Sequence, residues 1–380
     1  MKKTQTLIVG ASISGLACAG TLTKAGLEYT IIERAERIAM PWRNHYDRLH
    51  LHTSKHLSEL PYKKYAAGTP LYPSRLQVIE YLDNYQKQFK IAPLFNAEAT
   101  SIRKEGACWI IETSKGVFQA ENVIMATGPF GQPRTIDFRG METFPGNIAH
   151  SSQYKKGDIF KGQKILVVGF GNSACEIALD LHEQGAYPSL SVRSAVNVLP
   201  KDVFGIPIMQ LGLLFSALPP SFADKLNAPL IKALTGDITK LGLKKLPYGP
   251  LEQIHKHQTV PLLDIGTLKL IKDGNCKVFE GIENIEGKTV YFSNGAKEEF
   301  DSIVTAIGYE KGFGSHVLQV DKSRFEDLDV PVAKQKYFGK EGLYFCGFYV
   351  SPNGQIREIA SDAKKIAGSI VKNGSKQRSS

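Results

Sequence analysis

The chain has 380 residues, with 47 Lys or Arg against 37 Asp or Glu and a formal net charge of +10. That length suits two domains with sizeable cores, and a composition of 42% hydrophobic and 22% charged residues is that of a soluble globular protein with no integral membrane segment. The cations are spread along the chain rather than gathered in a basic stripe with interleaved aromatics. No nucleic-acid partner is therefore expected, and the charge reads as solvated surface with an attraction for anionic cofactors and substrates.

Met1-Lys2-Lys3-Thr4-Gln5 leads straight into an apolar run, Thr6-Leu7-Ile8-Val9, so no signal peptide is expected. Gly10-Ala11-Ser12-Ile13-Ser14-Gly15 then forms a glycine-rich turn, Leu16, Ala17 and Leu22 continue at helical spacing, and Tyr29-Thr30-Ile31-Ile32 returns as a strand ending at Glu33. In a Rossmann unit the first glycine makes the tight turn, the helix N-terminus receives a pyrophosphate, and an acid about 20 residues on bonds ribose hydroxyls. Glu33 is that acid, and Gly10, Ser12 and Gly15 line the turn, with Ser12 standing where the middle glycine is usual.

The plan repeats at Ile165-Leu166-Val167-Val168, the turn Gly169-Phe170-Gly171-Asn172-Ser173-Ala174 and a helix to about Gln184. Its return strand, Leu190-Ser191-Val192, ends at Arg193. A guanidinium suits a 2′-phosphate where a carboxylate suits free ribose hydroxyls, so the first site is read as FAD and the second as NADPH. Three strand ends share small residues, at Ala126-Thr127-Gly128, Ala306-Ile307-Gly308 and Cys346-Gly347. Small residues suit the carboxyl ends of an open α/β sheet, where ligands bind.

The expected fold is α/β, two Rossmann-like dinucleotide-binding domains with the NADPH domain inserted into a discontinuous FAD domain. Residues 1–158 are expected to be the first part of the FAD domain and 159–298 the NADPH domain. Residues 299–372, including the strands Ile303-Val304-Thr305-Ala306 and Leu343-Tyr344-Phe345-Cys346 and a helix from about Gln355, complete the FAD domain, and 373–380 form a disordered basic tail. Within the NADPH domain, about 203–262 is a proline-rich helical segment that either caps a substrate entrance or packs on the domain. Its apolar stretch Ile206 to Leu218 reads as a buried or cleft-lining helix, with contact to a membrane surface left open.

The five cysteines show no CxxC spacing, and at least four lie in apolar contexts, which argues for a reducing cytoplasm and against dithiol chemistry. His45, His50, His52 and His56 lack a Cys cluster or a helical HxxxH pattern, so no metal site is expected.

Phe144-Pro145-Gly146-Asn147-Ile148-Ala149-His150-Ser151-Ser152-Gln153-Tyr154-Lys155 resembles the fingerprint FxGxxxHxxx(Y/F)K of the class B flavin monooxygenases. Within that family the chain is most similar to the plant YUCCA type, over nearly its whole length. That closer resemblance is carried by Tyr46-Asp47-Arg48-Leu49-His50-Leu51-His52, Glu59-Leu60-Pro61, Val192-Arg193-Ser194, Val198-Leu199-Pro200, Tyr248-Gly249-Pro250-Leu251-Glu252 and Leu263-Asp264-Ile265-Gly266. Departures are Ser12, Ile307 in place of the threonine of ATGY, and Cys346-Gly347-Phe348-Tyr349-Val350-Ser351.

The resemblance implies that NADPH reduces FAD, that reduced flavin and O2 give a C4a-(hydro)peroxyflavin, and that one oxygen atom passes to a small organic substrate. An aryl-pyruvate such as indole-3-pyruvate, decarboxylated oxidatively, is the favoured substrate. The alternatives are N- or S-oxygenation, an NADPH oxidase releasing H2O2, and a low-turnover FAD-binding accessory protein. Trp42 and Arg43 match the family's flavin-side pair, and Arg34, Thr127, Gly128, Gly308 and Gly347 join the cofactor contacts. Asn172 and Ser173 begin the phosphate-binding helix, and Arg193 and Ser194 grip the 2′-phosphate. His150 is organisational. His52 aligns with an asparagine near the flavin in typical relatives and is the candidate catalytic hydrogen-bond donor, against the alternative of a hydrogen-bonded histidine in an ordered loop. Homodimerisation is left open.

Overall fold

A computed structural model describes residues 1–128, 130–214, 218–311, 318–319 and 339–377. The chain begins β1 (Lys2–Val9), α1 (Ile13–Lys24), β2 (Tyr29–Ile32), α2 (Met40–Asn44) and α3 (Arg75–Gln88), followed by β3 (Ala99–Glu105), β4 (Cys108–Thr113) and β5 (Gly116–Met125). Next come β6 (Asn147–His150), β7 (Lys164–Val168), α4 (Asn172–Glu183) and β8 (Tyr187–Ser191), then α5 (Ile208–Leu214), α6 (Pro220–Thr235) and α7 (Pro250–His257). Beyond these lie β9 (Lys277–Phe279), β10 (Ser302–Thr305), β11 (Leu343–Phe345) and α8 (Gln355–Gln377). Among the described residues no helix is long and apolar enough to cross a membrane.

The chain divides into two compact units: residues 1–44, 53–131 and 311–380 form the first, and 45–52 with 132–310 form the second. The first unit's sheet runs β2-β1-β5-β11 in parallel, and β5 also carries the antiparallel meander through β4 and β3. Strands buried on both faces have no polar alternation, which is why Leu7-Ile8-Val9 reads as an unbroken apolar run. Leu7, Val9, Ile32, Met125 and Phe345 share one core. On the opposite face, the place of a Cβ on Gly15 of α1 lies 3.4 Å from Ile31, and Tyr344 Oη is 3.3 Å from Ser369 Oγ of α8. Ser74 and Gln77 cap α3 reciprocally, Ser74 N donating to Gln77 Oε1 and Gln77 N to Ser74 Oγ.

The second unit's sheet, β9-β8-β7-β10-β6, is parallel throughout. This corrects the expected assignment of Ile303-Val304-Thr305 to the first domain: β10 lies between β7 and β6, pairing Thr305 with both Val168 and His150. An apolar strand carries no address in its own composition, and register with its neighbours decides where it belongs. The expected boundaries at 158/159 and 298/299 accordingly fall inside the second unit, and residues 45–52 join it as well. The expected basic tail is corrected too, because α8 continues to Gln377; residues 378–380 lie outside the described residues. The stretch expected as one helix from Ile206 to Leu218 is helical only over α5, and residues 215–217 lie outside the described residues.

The fingerprint has a mechanical reading. A Cβ on Gly146 would stand 2.1 Å from the Asp301 carbonyl oxygen, so only glycine lets this segment run beside β10. Ser152 N donates to His150 Nδ1 at 3.1 Å, which leaves the proton on Nε2, and Nε2 donates to the Gly308 carbonyl at 3.1 Å. His150 thus ties the end of β6 to the turn after β10. Gly146→Ala is expected to destabilise the protein by about 2 kcal/mol or more, because backbone must move to admit the methyl group; thermal unfolding with FAD bound measures it.

Candidate functional site

In the first unit, register collects the site. Val9 pairs with Ile32 and Met125, and Met125 with Phe345, so β1, β2, β5 and β11 end in one row. Gly10, Glu33, Thr127-Gly128 and Gly347 leave the sheet together at its carboxyl edge, where ligands bind in open α/β sheets. Gly10 has φ +103°, and a Cβ there would lie 2.9 Å from the Ala126 oxygen. Gly15 is closer still: a Cβ would be 1.8 Å from the Gly10 oxygen. Ser12 has φ −101°, within reach of any residue, and no side chain caps α1, so its first-turn N–H groups are presented to a ligand.

The Glu33 carboxylate accepts from Ala11 N at 2.7 Å and from Ala35 N at 2.9 Å, which fixes it beside the turn with lone pairs left for ribose hydroxyls. Gly128 has φ +77° and open space where a Cβ would stand. These residues fit a bound FAD. Arg43, Trp42, Arg34 and Gly347 lie in the same unit. Arg43 Nε donates to the Ile38 carbonyl at 3.0 Å and its guanidinium pairs with Asp83, so this cation is already engaged inside the unit. Trp42 is half-buried in α2 and Arg34 is exposed. Gly347 serves packing, since a Cβ there would meet Ser14 Oγ at 2.4 Å.

The second unit repeats the arrangement. His150, Thr305, Val168, Ser191 and Phe279 form one row across the sheet. Gly169 (φ +121°) turns beneath Ala306, whose oxygen lies 2.6 Å from where a Cβ would be. Gly171 starts α4 with no side-chain cap and nothing within 4 Å of a Cβ position, an open cradle suited to the phosphates of NADPH. Gly308, at φ +81°, faces similar open space. Arg193 and Ser194 are exposed, and the Arg193 stem runs against Gly281, 3.2 Å from a Cβ position there. Asn172 Oδ1 accepts from Leu263 N at 3.1 Å, so it also holds the neighbouring strand.

His52 lies in this unit, with Nε2 3.4 Å from Glu176 Oε1 on α4. Glu176 is buried, and its other oxygen accepts the Tyr46 hydroxyl at 2.5 Å. Burial first, and then the carboxylate beside it, push the Tyr46 phenol up, so it stays protonated and donating. Ser173 bonds to the same phenolic oxygen, joining this cluster to the first turn of α4. Two residues on, Arg48 grips Glu183 through Nε (2.9 Å) and Nη2 (2.7 Å). Glu176 went unnoticed in the sequence; the available signal was an acid inside the apolar helical run Ala174 to Leu181.

Among the described residues no group of three or more His, Cys, Asp or Glu is placed to hold a metal, and His50 Nδ1 is 2.6 Å from the Arg48 carbonyl. All five cysteines are free thiols. Burial pushes Cys276 up to about 12 and Cys175 well above the usual thiol range, and a hydrogen bond with Cys18 together with burial does the same to Cys346. Such thiols supply no thiolate.

Residues 7–201 match the pyridine nucleotide-disulphide oxidoreductase family. The chain is 36% identical to indole-3-pyruvate monooxygenase YUCCA1 of Oryza sativa subsp. japonica, covering 96% of this chain and 90% of the relative. It is 37% identical to indole-3-pyruvate monooxygenase YUCCA6 of Arabidopsis thaliana, again covering 96% and 90%. Its fold is similar to that of a flavin-containing monooxygenase from Stenotrophomonas maltophilia, with TM-score 0.70 and 18% identity over 98% of this chain and 99% of that one.

Two outcomes follow from this geometry. Arg193→Glu, which reverses the charge at the end of the return strand, is expected to raise the KM for NADPH on the order of a hundredfold while the KM for NADH changes little; steady-state kinetics with both nucleotides reads this out. Tyr46→Phe leaves the buried Glu176 oxygen without its donor and should cost about 2 kcal/mol of stability in denaturant unfolding.

Proposed function

We propose, since the chain belongs to the YUCCA-type flavin monooxygenases, that its substrate is an aryl-pyruvate such as indole-3-pyruvate, which it decarboxylates oxidatively. It is an enzyme, an oxidoreductase with FAD and NADPH as cofactors. What carries the substrate reading is identity of 36–37% along 96% of the chain to relatives named for indole-3-pyruvate. The cytoplasm, where thiols stay reduced, suits its five unpaired cysteines.

FAD, when bound, takes electrons from NADPH and uses them to split O2, one atom going to the substrate and the other to water. The chain's own part is to bind and orient. In this reading the first turn of α1 and Glu33 hold the FAD pyrophosphate and ribose, and the first turn of α4 with Arg193 and Ser194 holds NADPH. His52 Nε2, 3.4 Å from Glu176 Oε1 and without a hydrogen-bond partner among the described residues, carries in this reading the N–H that holds reduced oxygen and keeps it from escaping as H2O2. The Tyr46 hydroxyl supports this by holding the other Glu176 oxygen, which keeps the carboxylate in place beside the imidazole.

The balance to be met is one aryl-pyruvate, one O2 and one NADPH with a proton giving one aryl-acetate, one CO2, one water and one NADP⁺. Product analysis with indole-3-pyruvate checks it. Indole-3-acetate and CO2 in equal amounts, matching the NADPH consumed, is the expected result. NADPH consumption matched by H2O2 whether or not the keto acid is present would make the protein an oxidase, and turnover confined to amines or sulfides would make it an N- or S-oxygenase. His52→Ala is expected to leave the KM for NADPH unchanged and to raise the share of electrons lost as H2O2 on the order of tenfold, measured by peroxide assay beside NADPH absorbance.

A further inference from the structure

Helix α6 wears its amphipathic pattern inside out. Its buried positions are the small or polar Ala223, Asp224 and Thr235, while Phe222 (57% exposed), Leu226 (57%), Leu230 (41%) and Leu234 (39%) recur every fourth residue on the outside. The inward face is held by polar work instead of apolar packing. Asp224 accepts the N–H groups of Leu251 and Glu252, both at 2.9 Å, and so caps the start of α7. Nothing in that arrangement requires four large apolar side chains on the other side. Soluble proteins rarely leave such a row uncovered without a use for it.

A second apolar projection arises next to it. α6 packs on the strand Val198–Pro200, which runs into a tight hairpin pairing Asp202–Val203 with Ile206–Pro207. At its tip Phe204 has φ +50° and is 90% exposed. A bulky residue in the left-handed region costs energy that Asn or Gly would spare at such a turn, and here the strain holds a phenyl ring out in water.

The charges decide what covers this surface. Lys225 and Lys232, both exposed, lie seven residues apart and flank the apolar row on one side. The only acid on α6 is Asp224, buried and already engaged; Asp237, just past the helix, lies near Lys232 and has its carboxylate bonded to the N–H and hydroxyl of Thr239. A second copy of the chain related by a two-fold axis would bring the lysines of both helices into one contact with no carboxylate on either helix to pair them. A lipid surface with anionic headgroups meets both requirements at once, taking the Phe and Leu side chains at the acyl boundary and the ammonium groups at the phosphates. We infer that α6, with the Phe204 hairpin beside it, is a docking face for an anionic membrane surface, on which the protein lies without spanning it.

The test is sedimentation of the full-length, FAD-loaded protein with vesicles of phosphatidylcholine alone and of phosphatidylcholine mixed with phosphatidylserine. Binding to the mixed vesicles, little binding to the neutral ones and a fall in binding with added salt are expected. Leu226→Ser with Leu230→Ser should weaken binding about tenfold or more, and so should Lys225→Glu with Lys232→Glu. Both pairs change exposed side chains, and retained FAD absorbance with an unchanged Tm shows that each variant is folded. No sedimentation with mixed vesicles, or binding that survives both double substitutions, overturns the inference. A dimer broken by the leucine substitutions, without any vesicle binding, overturns it in favour of a second copy.

Discussion

Two buried carboxylates on one face of α4 organise the second unit. Glu176 and Asp180 stand one turn apart, and each is satisfied by a tyrosine hydroxyl, Tyr46 at 2.5 Å and Tyr154 at 2.6 Å. A carboxylate in a packed interior is costly unless its oxygens are hydrogen-bonded, so the two tyrosines are obligatory partners. Their rings meet edge to face at 6.3 Å. Tyr46 brings with it the segment carrying Arg48 and His52, and Tyr154 brings the end of the fingerprint. The helix whose N-terminus faces the dinucleotide site therefore also places the chain's candidate catalytic histidine. Burial raises both phenols, and the carboxylates raise them further, so the donors do not titrate away.

The same steric solution appears twice in the nucleotide turns. Gly10 closes on Ala126 and Gly169 on Ala306, each glycine in the left-handed region with a neighbouring strand's carbonyl where a Cβ would be. The contacts are made by backbone carbonyls at Ala126 and Ala306, so they account for the glycines of the turns whatever side chains the strand ends carry. The third turn position differs between the units. Gly15 has no room for a methyl group, whereas the second unit accepts Ala174 and keeps its Cβ 3.9 Å from the Cβ position of Gly169. At the middle position neither Ser12 nor Gly171 has positive φ, so glycine is asked for there by the space above the turn and not by the backbone. Ser12 is thereby compatible with its turn.

Strands, glycine turns and the helices after them were legible because each is a local pattern of periodicity and backbone demand. Membership of a sheet was not. Ser302–Thr305 and Leu343–Phe345 are equally apolar, yet one pairs with β7 and the other with β5, a choice made by long-range register. Residues 45–52 join the second unit through Glu176 and Glu183, which lie more than 100 residues away and give no signal in the segment itself. The basic run after Lys372 looked like a tail from composition, but Ile366 and Ile370, one turn apart and buried, draw α8 on past it.

Three of the motifs shared with the YUCCA type, around Val198, Tyr248 and Leu263, hold one another in place. Asp264 caps the helix that follows it by accepting from Leu268 N at 3.0 Å, and Asn172 Oδ1 holds Leu263. Asn197, beside Val198-Leu199-Pro200, donates to the Tyr248 carbonyl and to Gln253. Gly249 lacks a Cβ where Asp224 comes within 2.2 Å of the position one would fill, and Asp224 then caps Leu251 and Glu252. Residues spent on backbone capping have little freedom left to contact substrate. They fix how α4, α6 and α7 fit together. Differences in substrate between members are therefore to be sought in side chains that this frame leaves uncommitted.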